Sequence, residues 1–131
     1  MIRMCAALLA LAPATVLAAP LLRCQIDQGG NTKVLEFTPS TDPYRVKAID
    51  INGRFRFKAV VIGDANHVEY IKLYTYSAAR RQPVLLHEVN YLAPVAQPGA
   101  GPNALTGIHS IYSPQLEREM HYGCALLENA S

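Results

Sequence analysis

The chain has 131 residues, of which 12 are Lys or Arg and 10 are Asp or Glu, so its formal net charge at pH 7 is only +2. A balance this close to neutral argues against an overall electrostatic attraction to nucleic acid, and we expect no nucleic-acid partner. Half of the residues are hydrophobic, which is enough for one domain with a modest core.

The first 18 residues have the three-part layout of a secretory signal peptide. Arg3 supplies the positive charge, residues 4–17 are almost entirely apolar, and the small residues Ala18 and Ala19 precede Pro20. The apolar run is about 14 residues, shorter than the roughly 20 that span a bilayer as a helix. We therefore expect cleavage after Ala18, with residues 1–18 as the signal peptide and residues 19–131 as a single β-rich exported domain. The expected location is periplasmic or secreted, with no membrane span.

Two cysteines remain after this cleavage, Cys24 and Cys124, near the two ends of the mature chain. In an oxidising compartment such a pair is expected to form a disulfide. The alternative is a nucleophilic cysteine. No histidine lies near Cys24 in the sequence, and the nearness of His121 to Cys124 is weak support by itself.

Beyond the signal, short segments rich in Val, Ile, Tyr, Phe and Leu alternate with turn residues at intervals of roughly ten residues. Asn52-Gly53 is a strong signal for a type I′ hairpin turn, which needs positive φ at both central positions. Residues 93–104, rich in Pro and Gly, predict a flexible loop. Eight strands are predicted, over residues 21–26, 32–37, 44–51, 54–62, 67–76, 84–92, 105–112 and 115–126.

About eight antiparallel strands in a domain of this size predict an all-β meander, closed into a small barrel-like arrangement or, alternatively, folded as a two-sheet sandwich. A disulfide between the first and last strands favours closure. This layout is similar to that of small periplasmic β-barrel proteins such as the bacterial lysozyme inhibitors. The inhibitor-type Ser-Gly-Ala-Lys-Tyr stretch is absent, so no functional residue is carried over from that resemblance.

The hairpin at Asn52-Gly53 predicts a surface. A two-residue turn would pair Ile51 with Arg54 and Asp50 with Phe55. One face would then be the core, formed by Tyr44, Val46, Ala48, Asp50, Phe55, Phe57, Ala59 and Val61. The opposite face would gather five basic residues, Arg45, Lys47, Arg54, Arg56 and Lys58, with Ile49, Ile51 and Val60.

The next predicted strand alternates Ile71 and Leu73 with polar and aromatic residues. If the two aliphatic residues point into the core, the tyrosines lie beside the basic face; if not, the tyrosines fill the interior. Under the first alternative the chain has a surface of cations and phenols suited to anionic groups and to planar or sugar rings. The predicted binding residues are Arg45, Lys47, Arg54, Arg56, Lys58, Tyr70, Lys72 and Tyr74.

Motifs for catalysis or metal binding are absent from the sequence, including HExxH, paired CxxC and Gly-x-Ser-x-Gly. His109 and His121 lie on the two arms of the last predicted hairpin, where the register decides whether they meet. We expect no catalytic residue, no metal site and no cofactor. The expected function is a non-catalytic binding module for an anionic envelope component, a saccharide or a protein; the alternative is a carrier of a small apolar ligand inside a β-barrel.

Overall fold

A computed structural model describes residues 10–13, 19–79 and 81–129. Most of the predicted signal peptide lies outside these residues. Within them, no helix has the length and apolar character needed to cross a membrane. The strands are β1 (Ala19–Gln28), β2 (Asn31–Phe37), β3 (Ile49–Ile51), β4 (Phe55–Gly63), β5 (Val68–Ser77), β6 (Val84–Leu92), β7 (His109–Ser113) and β8 (Arg118–Asn129). The prediction of an all-β domain is confirmed.

The eight strands form two antiparallel sheets of four strands, ordered β2-β1-β8-β7 and β3-β4-β5-β6. The chain passes to the second sheet between β2 and β3 and returns between β6 and β7. The predicted barrel-like closure is wrong, because the sheets are not joined into one continuous hydrogen-bonded ring; the alternative sandwich fits. A shared core of buried residues from both sheets includes Leu22, Ile26, Phe55, Phe57 and Tyr122.

A disulfide joins Cys24 of β1 to Cys124 of β8, as predicted, and both residues are fully buried. The two cysteines are direct partners in the strand register, with a Cα–Cα distance of 4.1 Å. The N–H of Cys124 donates to Thr106 Oγ1 and its carbonyl accepts from the N–H of Leu105. The cysteines are therefore a non-hydrogen-bonded pair, the type in which Cα atoms approach most closely. The bridge joins neighbouring strands of one sheet, which is why it does not close a barrel.

The connection between β3 and β4 differs from the predicted hairpin by one residue. Asn52 and Gly53 have the positive φ angles expected, 56° and 70°, and the N–H of Arg54 donates to the carbonyl of Ile51. Ile51 is nevertheless paired with Phe55, so Arg54 is an extra residue in the turn. The extra residue keeps Ile51 on the buried side with Phe55, whereas the predicted register would have exposed it. Burial of a large aliphatic side chain thus decides the register.

The predicted strand over residues 44–51 is wrong for most of its length, because only Ile49–Ile51 is a strand. Pro43–Arg45 forms a 3₁₀ turn, in which Asp42 accepts a hydrogen bond from the N–H of Tyr44. Tyr44, a predicted core residue, is 95% exposed. The neighbouring edge of β4 is instead covered by Ser40, whose backbone hydrogen-bonds to Val61 and Gly63.

The long connection before β7 follows the edge of β8. The N–H of Gln97 donates to the carbonyl of Leu126, and Leu105 binds Cys124 as described above. The predicted strand over residues 105–112 therefore begins four residues later, at His109.

Candidate functional site

Strand β5 answers the question left open by its alternating sequence. Ile71 and Leu73 are fully buried in the core, whereas Tyr70, Lys72 and Tyr74 are half-buried on the opposite side. The tyrosines therefore face outward, on the side of the sheet that turns away from the core.

The register between β4 and β5 sets these side chains beside the basic residues. Arg56 is paired with Tyr76, Lys58 with Tyr74, and Val60 with Lys72. Residues directly opposite on one face of an antiparallel pair are the closest side-chain neighbours in a sheet. We call this surface the basic/tyrosine face and define it as Arg56, Lys58, Tyr70, Lys72, Tyr74 and Tyr76.

Cation–aromatic contacts organise this face. The Nζ atom of Lys58 lies 5.3 Å from the ring centre of Tyr74, and that of Lys72 lies 5.5 Å from the ring centre of Tyr70. The rings of Tyr74 and Tyr76 are nearly parallel, with 14° between their planes and 6.3 Å between their centres. Both distances to the lysines are within the roughly 6 Å range of cation–π attraction. The lysine stems and the phenol rings therefore hold one another in place.

Within the described part of the chain, the cations of the face form no ion pair, although Glu88, the strand partner of Tyr74, adjoins the face. Among the described residues, no acidic oxygen lies within 4.0 Å of Arg56, Lys58 or Lys72 in an ion pair. Asp50 is the strand partner of Arg56, but its Oδ2 accepts from the N–H of Gly53. The three charges are thus available to an external anion.

The phenols of the face are held in the neutral form. Burial, followed by the charge of Glu88 and then by Tyr70, raises the pKa of Tyr74. Burial, then Tyr74, then Glu88, raises the pKa of Tyr76. Both hydroxyl groups therefore keep their proton at neutral pH and can donate hydrogen bonds to an anionic or hydroxylated ligand.

An open groove lies at one end of the face. It has a volume of about 160 Å³. Its lining comes from the segment that follows the 3₁₀ turn, from β4 and β5, and from the residue just before β6. Its lining residues are Val46, Ala48, Arg56, Lys58, Tyr76 and Pro83.

Five of the eight predicted binding residues belong to this face, and three do not. Arg45 forms an ion pair with Asp42 at 3.1 Å within the 3₁₀ turn. Arg54 extends towards Gly29 in the β1–β2 turn. The Nη1 atom of Arg54 would lie 3.2 Å from a Cβ added to that glycine. Lys47 is exposed on a segment without regular structure. Their grouping depended on the predicted strand over residues 44–51 and on its register, and both were wrong.

A second cluster, which the sequence did not indicate, lies between the sheets. The ring centres of His87 in β6 and His109 in β7 are 5.0 Å apart, and that of Tyr122 in β8 is 5.1 Å from His109. Tyr122 Oη lies 3.4 Å from His87 Nδ1. The register pairs His109 with Tyr122 instead of His121, and His121 points outward and contacts Glu119 at 3.1 Å. Three strands from two sheets contribute to this cluster, so no local spacing could have indicated it.

Two properties of this cluster are unusual: the shifted pKa values of its side chains and the lack of hydrogen-bond partners, among the described residues, for two of its buried atoms. Burial, followed by the charge of His109, lowers the pKa of His87, and burial raises the pKa of Tyr122. In the described part of the chain, His109 Nε2 and Thr75 Oγ1 are buried without a hydrogen-bond partner. Thr75 is the direct strand partner of His87. Buried polar atoms are nearly always paired, so these two require an explanation.

Comparisons with known proteins add no functional assignment. A scan against protein-family models, a search of curated proteins and a search of solved structures each found no match. The function must therefore be inferred from the chemistry of the two clusters.

Proposed function

We propose that this protein is an exported, non-catalytic binding module whose basic/tyrosine face holds an anionic saccharide of the cell envelope. The observation that carries this proposal is the β4–β5 register, which pairs Arg56 with Tyr76 and Lys58 with Tyr74 on the outer side of the second sheet. The signal-like N-terminus and the disulfide are compatible with export.

The charges of the face support an anionic ligand. Lys58 and Lys72 are diagonal neighbours on one side of the sheet, because both adjoin Tyr74. Like charges this close destabilise a sheet, and Glu88, the strand partner of Tyr74, adjoins them but forms no ion pair with a described residue that would neutralise them. A carboxylate or phosphate between the two ammonium groups would do so, and the guanidinium of Arg56 can bind the same group through two parallel hydrogen bonds.

The tyrosines support a ligand that also has rings. Tyr74 and Tyr76 present nearly parallel, half-buried rings along one strand. Such rings combine an apolar surface with a polar tip, which suits a sugar that has an apolar ring face and hydroxyl edges. The groove of about 160 Å³ is smaller than the pockets of roughly 300–1,000 Å³ that enclose drug-sized ligands. It therefore suits one ring or acidic group of a longer chain lying across the face.

The alternative of an apolar-ligand carrier stays a prediction. Between the sheets, Phe55, Phe57 and Tyr122 are fully buried in the shared core. No observation on the described residues favours a ligand cavity there over a packed interior.

Calorimetric titration with a matched pair of oligosaccharides tests the proposal. An oligogalacturonate, which has a carboxylate on every ring, is compared with a neutral glucose oligomer of equal length. We expect saturable binding of the first and none of the second. Raising the salt concentration from about 0.05 M to about 0.5 M should weaken binding, because exposed charges are screened over shorter distances.

A pair of charge-reversal variants then locates the site. Arg56→Glu combined with Lys58→Glu should weaken oligogalacturonate binding at least tenfold, since each lost charge-assisted hydrogen bond contributes about 1.5–3 kcal/mol. Arg23→Glu combined with Arg118→Glu alters the net charge equally but lies on the first sheet, and it should bind normally. Equal weakening in both variants, or no binding by the unaltered protein, would contradict the proposal.

A further inference from the structure

We propose that His87 and His109 form a binding site for a divalent transition-metal ion at the seam between the two sheets, with Tyr122 as a positioning residue. This site is separate from the basic/tyrosine face. His87 is in the second sheet and His109 is in the first, so the ion would link the two.

The separation of the imidazoles fits a shared ion. Their ring centres are 5.0 Å apart, with 45° between the ring planes. Imidazole nitrogens bind zinc at about 2.0–2.1 Å, so two rings on one tetrahedral ion have centres roughly 5 Å apart.

Two buried polar atoms near the histidines have hydrogen-bonding capacity that no described side chain satisfies. His109 Nε2 is buried and has no hydrogen-bond partner among the described residues, and the same holds for Thr75 Oγ1 beside His87. An unsatisfied buried polar atom costs about 1–3 kcal/mol. An ion bound to His109 Nε2 would remove the deficit at that atom.

Tyr122 fixes the orientation of the other histidine. Its hydroxyl lies 3.4 Å from His87 Nδ1. Metal-bound histidines typically donate their second ring N–H to an oxygen, which leaves the other nitrogen free for the metal. With Nδ1 donating to Tyr122, the ligating atom of His87 is Nε2.

The number and type of ligands define the class of metal. In the part of the chain that the structure describes, no group of three His, Cys, Asp or Glu side chains is arranged to hold a metal ion. The ion would therefore have two protein ligands, and water or a small ligand would complete its coordination. Imidazole nitrogen favours zinc, copper and nickel over magnesium and calcium.

Zinc titration of the oxidised protein without an affinity tag tests this proposal directly. Calorimetry should give one ion per chain, and ¹⁵N spectra of the imidazoles should show zinc-dependent shifts of Nε2 in His87 and His109. His67 and His121 should not shift. The melting temperature should rise with zinc concentration, because the ion binds the folded state. Shifts confined to His67 or His121, or no saturable binding below millimolar zinc, would overturn the proposal.

Variants separate the two histidines from the rest of the surface. His87→Gln and His109→Gln should each abolish saturable zinc binding, whereas His121→Gln, on the outer side of β8, should leave it unchanged. Tyr122→Phe keeps the aromatic ring and should weaken binding about 10–100-fold. Zinc binding retained in both glutamine variants would contradict the assignment. The spectra of the unaltered protein provide an answer even if His109→Gln does not fold.

The two proposals fail independently. The variant with Arg56→Glu and Lys58→Glu should bind zinc normally, since those residues lie on the opposite side of the second sheet from His87. Loss of zinc binding in that variant would contradict the separation of the two sites.

Discussion

Lys58 and Tyr74 are direct partners across β4 and β5, and the lysine Nζ lies 5.3 Å from the centre of the phenol ring. This pair links the two halves of the basic/tyrosine face. The sheet register brings the residues together, and the ring stabilises the position of the charge. An anion bound there would meet a cation that is already oriented.

The contact between Lys58 and Tyr74 should be measurable as a coupling energy. In a double-mutant cycle with Lys58→Met and Tyr74→Leu, urea unfolding should give a coupling of about 0.5–1 kcal/mol, the usual size of an exposed cation–π contact. Lys58→Met combined with Tyr112→Leu, on the other sheet, should give additive effects. A coupling of the first pair no larger than that of the second would contradict the contact.

The disulfide should supply a large part of the stability of the fold. Cys24 and Cys124 are 100 residues apart in sequence, and the chain-entropy model gives about 4–5 kcal/mol for closing a loop of this length. The double variant Cys24→Ala with Cys124→Ala should lower the free energy of unfolding in urea by about that amount. A matched measurement on the oxidised and the chemically reduced protein is the control. A free energy that does not change on reduction would contradict this prediction.

Local signals in the sequence were sufficient for most of the strands. Gly29 and Gly30 lie between the first two predicted strands, and both have the positive φ angles that glycine allows without strain in a turn. The alternation of aliphatic and polar residues in β5 divided the strand into the two faces that the structure shows, although it did not decide which of them is buried. These features depend on a few consecutive residues, so the sequence contains the necessary information.

Relationships between distant segments were not predictable in the same way. Alternation also suggested a strand through Tyr44 and Val46, but Pro43 and the Asp42 side chain stabilise a 3₁₀ turn there. The extra residue Arg54 depends on the burial of Ile51, which is a property of the whole core. Neither the two-sheet arrangement nor the meeting of His87 with His109 follows from any local spacing.

The side chain of Asn52, in the β3–β4 turn, hydrogen-bonds to Gln28 beside the β1–β2 turn. These hydrogen bonds and the backbone conformation of Asn52 should contribute separately to the free energy of unfolding. Its Nδ2 donates to the carbonyl oxygen and to the Oε1 of buried Gln28, at 2.9 and 2.8 Å. Asn52→Gly keeps the positive φ but loses both hydrogen bonds, so it should cost about 1–3 kcal/mol of unfolding free energy. Asn52→Ala should cost about 1–2 kcal/mol more, because a Cβ disfavours this backbone conformation.

Asn31→Ala is the matched control for the hydrogen bonds between Asn52 and Gln28. Asn31 contacts the same Asn52 side chain, but in an exposed position and at 3.3 Å. Its replacement should change the unfolding free energy by no more than about 0.5 kcal/mol. If the glycine and alanine variants of Asn52 were equally stable in urea, the positive φ would have no energetic cost and the prediction would be wrong.

His87 should make the protein less stable in mild acid. Burial and the nearby His109 lower its pKa below the ordinary value of 6.5, whereas the unfolded chain keeps that value. The unfolded state therefore binds more protons between the two values, so the contribution of His87 is complete above its unfolded pKa and is lost as the pH falls towards its folded pKa. The described groups facing His87 are Thr75, His109 and Tyr122, and the raised pKa of Tyr122 keeps that phenol neutral throughout.

Urea unfolding of the metal-free protein, measured from about pH 7.5 to about pH 5, tests this expectation. The free energy of unfolding should fall with pH, and His87→Gln should make that fall shallower because glutamine does not titrate. His121→Gln, which removes an exposed imidazole in contact with Glu119, should not make it shallower. If the free energy of unfolding fell equally steeply with pH in the unaltered protein and in His87→Gln, the prediction would be wrong. The His87 imidazole would then be protonated as readily in the folded cluster as in the unfolded chain.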